Sequence, residues 1–435
     1  MAVRLVLAGR YGGAAGLQSS GLPGASAEDA PLRWLERVQV WVAQQAGELL
    51  EGARMDSDAQ GRPVLRLQLH PAAEEVSVVA AGQHRVVVVA DTTAVGPGYH
   101  RYLCELLHRL GGAFSVAWAD AHADEGVGDP TGYFHTGDAA PLEGHMLAWL
   151  ADTAGSVLAL RSLGHANLAL SLRPGHAFDP GGAAVLTPMG PRDEAWVQAV
   201  HEDPARGRDV FPWWEEGTGP RVRLGRALSR LWTEMVWRPP LLEEERRMFR
   251  SVARLLESAW REDPSLAYPW REWRELLGFL GVGGTLAEEV SRQALQTPEG
   301  PRIGYRRGTV QVTLPQGWAI RIPGSLAEAV LPDGSWVARD HRRSVRVLAE
   351  RGLPAALEHG GEYEHKNARV TGYGDVVEEG DSGRLTALCD AGDRRALCIV
   401  TYDDLDEKAW ALETWRTLDV ERSAAPAQPR PQYLS

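Results

Sequence analysis

The sequence predicts an α+β protein: a mixed or antiparallel sheet domain carrying a tryptophan-rich helical bundle, followed by a second, antiparallel α+β domain. Three observations predict it. Over residues 3–118 the order strand, helix, three strands, helix, strand describes a sheet layer with helices on one face. Seven of the sixteen tryptophans then fall within residues 211–280, in three successive helical patterns. Strand-like runs recur at short spacing from 307 to 402, and one helix closes them. On these grounds residues 1–283 form the first domain, with a sheet region at 1–205 and the tryptophan-rich helices at 211–281. Residues 284–302 are a helix and linker, 303–420 the second domain, and the proline-rich 421–435 a disordered tail.

The chain opens with a short buried strand at 3–8. The glycines of residues 9–16 follow a strand, but their spacing is not GxGxxG and no GK[ST] occurs, so they read as a flexible connection. Residues 32–50 form an amphipathic helix with Leu35, Val38, Trp41 or Val42, and Leu49 inward. Leu65, Leu67 and Leu69 alternate around Arg66 and Gln68, which makes 64–69 a half-buried strand. Strands at 75–80 and 84–90 meet at a turn over 81–83. The unbroken valines at 86–89 predict a central strand covered on both faces. Gly96-Pro97-Gly98 leads into a helix at 99–110. A strand at 114–118, a long acidic loop at 119–138 and a helix at 142–159 come next. Strands at 166–172 and 182–187, a Gly190-Pro191 turn and a helix near 193–200 complete the sheet region.

The tryptophan-rich segment divides at its prolines. Leu224, Leu228, Leu231 and Met235 recur at helical spacing over 222–237, and Pro239-Pro240 ends that helix. Met248, Val252, Leu255 and Trp260 define a second helix. Glu243, Glu244 and Glu245 sit at its start, where the positive end of the helix dipole favours acids. Asp263-Pro264 stops it. Pro269 then suits the first turn of a third helix carrying Trp270, Trp273, Leu276, Leu277 and Leu280. These indoles read first as core packing.

In the C-terminal region, strands are expected at 309–314, 318–322, 335–339, 344–348, 369–377, 384–389 and 396–402. Asp404, with Glu407 three residues on, opens the last helix as a capping box. Leu405, Ala409 and Leu412 are expected on its apolar face, with Trp415 and Leu418 beside it. Gly380-Asp381-Ser382-Gly383 joins two strands and reads as a hairpin turn rather than a serine nucleophile. The strand order and the phrases VTLPQGWAIRIPG, SWVARD and LCIVTYDD resemble the PsbP-like and DcrB-like superfamily over about a quarter of the chain. That resemblance rests on a hydrophobic pattern, not on catalytic residues. It implies a non-enzymatic fold found in accessory proteins, binding proteins and secretion-effector chaperones.

The formal net charge of −12 excludes general nucleic-acid binding and an anionic membrane surface as partners, because both need a positive field. No apolar window approaches a membrane span, and the N-terminal apolar run is short for a signal peptide, so the cytoplasm is the expected compartment. The three cysteines, Cys104, Cys389 and Cys398, lack CxxC spacing and read as small buried hydrophobes. No cofactor is expected. Asp120, His122 and Asp124 alternate after a strand, in a phrase that resembles the DAHAD metal segment of the arginase family. The GGDH and DxDxxDP segments that complete that family's two-metal site do not occur in the sequence. Asp129, His135 and Asp138 are the nearest additional donors. The preferred reading is a solvated acidic loop; the alternative is a metal-dependent hydrolase built on residues 120–138.

Arg208 and the adjacent Trp213 and Trp214 form a basic and aromatic loop ahead of the helices. Two neighbouring indoles in an extended loop do not both point inward, so one is expected to anchor a partner. With no GxSxG, HExxH or Walker-type motif, no catalytic residue is assigned. The sequence therefore predicts a non-catalytic protein-binding protein: an immunity, chaperone or adaptor component of a bacterial conflict, defence or secretion system. Its acidic charge suits a basic protein partner.

Overall fold

The computed structural model describes residues 2–12, 30–81, 84–119, 127–172, 175–351 and 361–420. In chain order, strand β1 (Arg4–Tyr11) and helix α1 (Ala30–Ala46) precede β2 (Gly52–Ser57), β3 (Pro63–Gln68), β4 (Val76–Ala81) and β5 (Arg85–Asp91). Helix α2 (Pro97–Phe114), β6 (Val116–Trp118), α3 (Tyr133–Thr136) and α4 (Ala139–Ser162) follow. Next come β7 (His176–Phe178), β8 (Val185–Thr187), β9 (Gly190–Arg192) and the helices α5 (Glu194–Glu202), α6 (Pro220–Thr233), α7 (Glu243–Glu262), α8 (Trp270–Leu280) and α9 (Thr285–Gln296). The last stretch holds β10 (Thr309–Thr313), β11 (Trp318–Pro323), β12 (Ala327–Val330), β13 (Trp336–Arg339), β14 (Arg343–Arg351) and β15 (Tyr363–Lys366). It ends with β16 (Thr371–Glu379), β17 (Ser382–Ala391), β18 (Arg394–Tyr402), α10 (Lys408–Arg416) and β19 (Asp419–Val420). The fold is α+β with antiparallel sheets. Among the described residues, no helix is long and apolar enough to cross a membrane.

Two compact units emerge. Residues 1–173, 180–232 and 252–269 make the first, and 174–179, 233–251 and 270–435 the second. The expected boundary at 284–302 is not where the units divide: α6 belongs to the first, α8 to the second, and α7 contributes to each.

The first unit is organised on a six-stranded antiparallel sheet in the order β2-β3-β4-β5-β1-β6. Leu5, Leu7, Leu65, Leu67, Val78, Val86 and Val88 share a core with Leu35, Val38 and Val42 of α1 and Leu103, Leu107 and Leu110 of α2. Period-two alternation in the strands meets period-3.6 faces in the helices, and burial of both sets drives the layer together. The valine run at 86–89 is not covered on both faces. Val86 and Val88 are buried, but Val87 and Val89 are only half-buried, because the helices of this core lie on one face. Strand β2 gave no hydrophobic signal: it is an edge strand with no buried residue, and its Arg54 ion-pairs with Asp56 at 3.1 Å and Glu75 at 2.9 Å.

Two further expectations for this unit need correction. Residues 166–172 do not form a strand; they make one bridge, Ala169 to Leu186. Gly190-Pro191 is not a turn but part of β9, paired with β8. Pro191 is tolerated there because this two-stranded ribbon offers an edge. Helix α5 is capped by Asp193, whose carboxylate accepts from Trp196 N at 2.8 Å. Helix α6 ends at Thr233 rather than at 237. Residues 233–251 belong to the second unit, and Trp237 there takes a left-handed φ of +42°.

The second unit holds a seven-stranded antiparallel sheet, β12-β13-β14-β18-β17-β16-β15, and a four-stranded one, β19-β11-β10-β7. Gly380, at φ +61°, turns β16 into β17, as the sequence predicts. Cys389 and Cys398 lie on adjacent strands but pair with Ala396 and Ala387, not with each other, and both are free buried thiols. The apolar face of α10 differs from expectation. Ala411, Trp415 and Leu418 are buried, whereas Leu405 and Ala409 are exposed. The turn that precedes α10, Leu405–Glu407, is 3₁₀, with three residues per turn, so phase extrapolated from Leu405 slips. Asp404 does cap this turn, accepting from Asp406 N at 3.1 Å.

Glu245 shows how a helix start in this unit is fixed. Its carboxylate accepts from both terminal nitrogens of Arg238, at 2.8 and 2.7 Å, and from the backbone N–H groups of Leu241 and Leu242. Burial opposes its ionisation, but the Arg238 hydrogen bond, the Leu241 N–H and the Arg238 charge outweigh that and hold it below the usual glutamate range. Its folded pKa is depressed, so its contribution is complete above the unfolded value of about 4.3 and is lost as pH falls through the folded value. Glu245→Gln is expected to cost about 2 kcal/mol at pH 7 and less at pH 3. Urea titrations at the two pH values check this; an equal cost at both would contradict it.

Candidate functional site

The loop expected to carry the partner anchor is built from the backbone outward. Trp213 N donates to Val95 O at 3.0 Å, and Gly98 N donates to Trp213 O at 3.1 Å. These bonds hold residues 211–215 against the start of α2. Two glycines permit the approach. A β-carbon at Gly98 would collide with Glu215 O and come within 2.5 Å of the Trp213 ring, and one at Gly225 of α6 would collide with Pro212 O.

This mount sends the two indoles apart. Trp213 is fully buried. Its ring lies 5.2 Å from that of Tyr102 and 5.8 Å from that of Tyr99, and its Nε1 donates to Gly217 O at 2.9 Å. Trp213 is therefore a core residue, and of the two indoles it is not the one at the surface. Trp214 is half-buried, with its ring 5.4 Å from that of Phe211, and the guanidinium of exposed Arg208 lies 5.0 Å from its ring centre. Exposed Glu215 and Glu216 follow directly.

Among the described residues, the additional donors Asp129, His135 and Asp138 do not share a cluster. Asp120, His122 and Asp124 lie outside the described residues. Asp138 caps α4, accepting from Ala140 N at 3.0 Å. His135 is exposed, with its ring against Phe134. Of the described donors only Asp129 enters a polar cluster, which it shares with His100 of α2.

That cluster starts from a backbone bridge. Val6 N donates to Gly128 O at 3.0 Å and Gly128 N to Val6 O at 2.7 Å, which delivers Asp129 to the edge of β1. Asp129 Oδ1 accepts from Thr131 N at 2.9 Å and Thr131 Oγ1 at 2.8 Å, and Oδ2 accepts from Phe134 N at 2.8 Å. His100 Nε2 lies 3.1 Å from Oδ2, and both side chains are fully buried. Burial opposes ionisation of Asp129, but the hydrogen bond and charge of His100 and the Phe134 and Thr131 N–H groups hold it at about 2. The other imidazole nitrogen, Nδ1, lies 2.9 Å from Thr92 Oγ1, which itself donates to Val3 O at 3.2 Å. Cys104, one helical turn after His100, is buried beside them, and burial pushes its thiol well above the ordinary range. Ligand atoms of His100, Cys104 and Asp129 all lie within 4.8 Å of one another. His108, one turn further, stacks on Phe134 with ring centres 4.1 Å apart. The sequence carried a signal for this stripe, His100-x₃-Cys104-x₃-His108, which repeats at the helical i, i+4 interval.

No protein-family model matches the chain, and no curated protein matches it either.

Proposed function

We propose that this α+β chain is a non-catalytic protein-binding protein, acting in the cytoplasm as an immunity, chaperone or adaptor component of a bacterial conflict, defence or secretion system. The observation that carries the reading is the Arg208–Trp214 pair. An indole and a guanidinium, the side chains enriched at binding hot spots, stand at the surface on a backbone pinned to α2 and α6. A pinned mount lowers the ordering cost of docking. The net charge of −12, with Glu215 and Glu216 beside the pair, suits a basic protein. The resemblance of residues 303–420 to the PsbP-like and DcrB-like superfamily points to binding rather than turnover.

The test begins with affinity capture from native cells, followed by titration of the isolated partner. Trp214→Ala is expected to weaken that partner about 30-fold, the equivalent of roughly 2 kcal/mol. Arg208→Glu should weaken it too, with unfolding midpoints unchanged for both variants. Undiminished affinity in both variants would remove the surface pair from the interface.

A further inference from the structure

We propose that His100 Nε2, Cys104 Sγ and Asp129 Oδ2 form a binding site for one divalent transition metal ion of the zinc class. This inference is independent of the surface pair, because its three donors are buried and share no residue with that pair. Imidazole, thiolate and carboxylate are the donor types that zinc takes, and three protein donors leave one tetrahedral position to water.

The surroundings of His100 suit a ligating imidazole. Thr92 Oγ1 lies 2.9 Å from Nδ1 and holds the ring with Nε2 toward Asp129 Oδ2, 3.1 Å away. Metal-ligating histidines are commonly oriented this way, by a bond to the nitrogen that does not bind the ion. Cys104 stands within reach as a third donor.

In the metal-bound site a dication is balanced by the Asp129 carboxylate and the Cys104 thiolate beside a neutral imidazole. The buried site then carries no net charge and avoids the desolvation cost of an unbalanced one. The remaining Asp129 bonds, from Thr131 and Phe134, hold the carboxylate in place.

The full-length protein, stripped with chelator, is titrated with Co²⁺ alone, both natively and during refolding so that slow entry does not mask binding. Expected are one Co²⁺ per chain, a near-ultraviolet thiolate-to-cobalt charge-transfer band, proton release as the Cys104 thiol ionises, and displacement by Zn²⁺. Cys104→Ser should abolish the band, and Thr92→Val, which keeps all three donors, should weaken binding roughly 10- to 100-fold. A wild-type chain that takes up no Co²⁺ under either protocol, or takes it up without the band, overturns the proposal. So does a Cys104→Ser chain whose spectrum matches the wild type. These results would leave the His100–Asp129 contact as a hydrogen bond alone.

Discussion

Replacing Trp213 with alanine is expected to lower the unfolding free energy of the first unit by about 4 kcal/mol, while Trp214→Ala changes it by less than about 1 kcal/mol. Trp213 is among the largest fully buried side chains and is ringed by His70, Tyr99 and Tyr102. Its removal leaves a cavity that cannot close, because the flanking backbone is held by the Val95 and Gly98 bonds. It also strips Gly217 O of an indole donor. Trp214, being half-buried, loses less apolar contact and keeps water access. Urea titrations of the two variants, followed by circular dichroism, separate the neighbours. Equal losses from the two substitutions would show that burial does not distinguish them.

Glu51→Ala should destabilise the same unit by about 3–5 kcal/mol. Glu51 Oε1 lies 2.7 Å from Arg226 Nη2, and Oε2 lies 2.8 Å from Arg230 Nη2. The side-chain exposures of Glu51, Arg226 and Arg230 are 8%, 2% and 11%, so the charges are largely out of water. Burial pushes the pKa of the Arg226 guanidinium down, which shows that desolvation opposes its charge. Arg226 Nη1 also donates to Leu69 O at 3.0 Å, tying α6 to the chain just after β3. Taking away the shared carboxylate leaves two neighbouring positive groups to repel each other. Pairing Glu51→Leu with Arg226→Met should recover most of the loss, because the desolvation penalty disappears with the charges. Thermal unfolding of the single and double variants measures both effects. A silent Glu51→Ala would mean that the arginines are satisfied without it.

Much of the architecture was legible because periodicity is a local property. The alternation of Leu65, Leu67 and Leu69, the acidic start of α7 and the glycine turn at 380 need no distant partner to be read. Strand β2 escaped because an edge strand without a buried residue has no hydrophobic period. The face of α10 escaped because a 3₁₀ turn shifted its phase. Of the candidate site, the residue types were readable at 208, 213 and 214, but which indole faces inward was not. That choice is made by Gly98 and Gly225, which admit the backbone of residues 211–215 in one direction.

The sequence by itself determined an α+β chain, the identity of most strands and helices, and a tryptophan-rich segment committed to packing. Tertiary structure alone decided that this segment contributes to two compact units and that Trp213 is core. It alone set His100, Cys104 and Asp129 side by side. The reason is that strand pairing and helix docking join residues far apart along the chain. The Val6–Gly128 bridge brings Asp129 to α2, and no pattern confined to one element encodes that meeting.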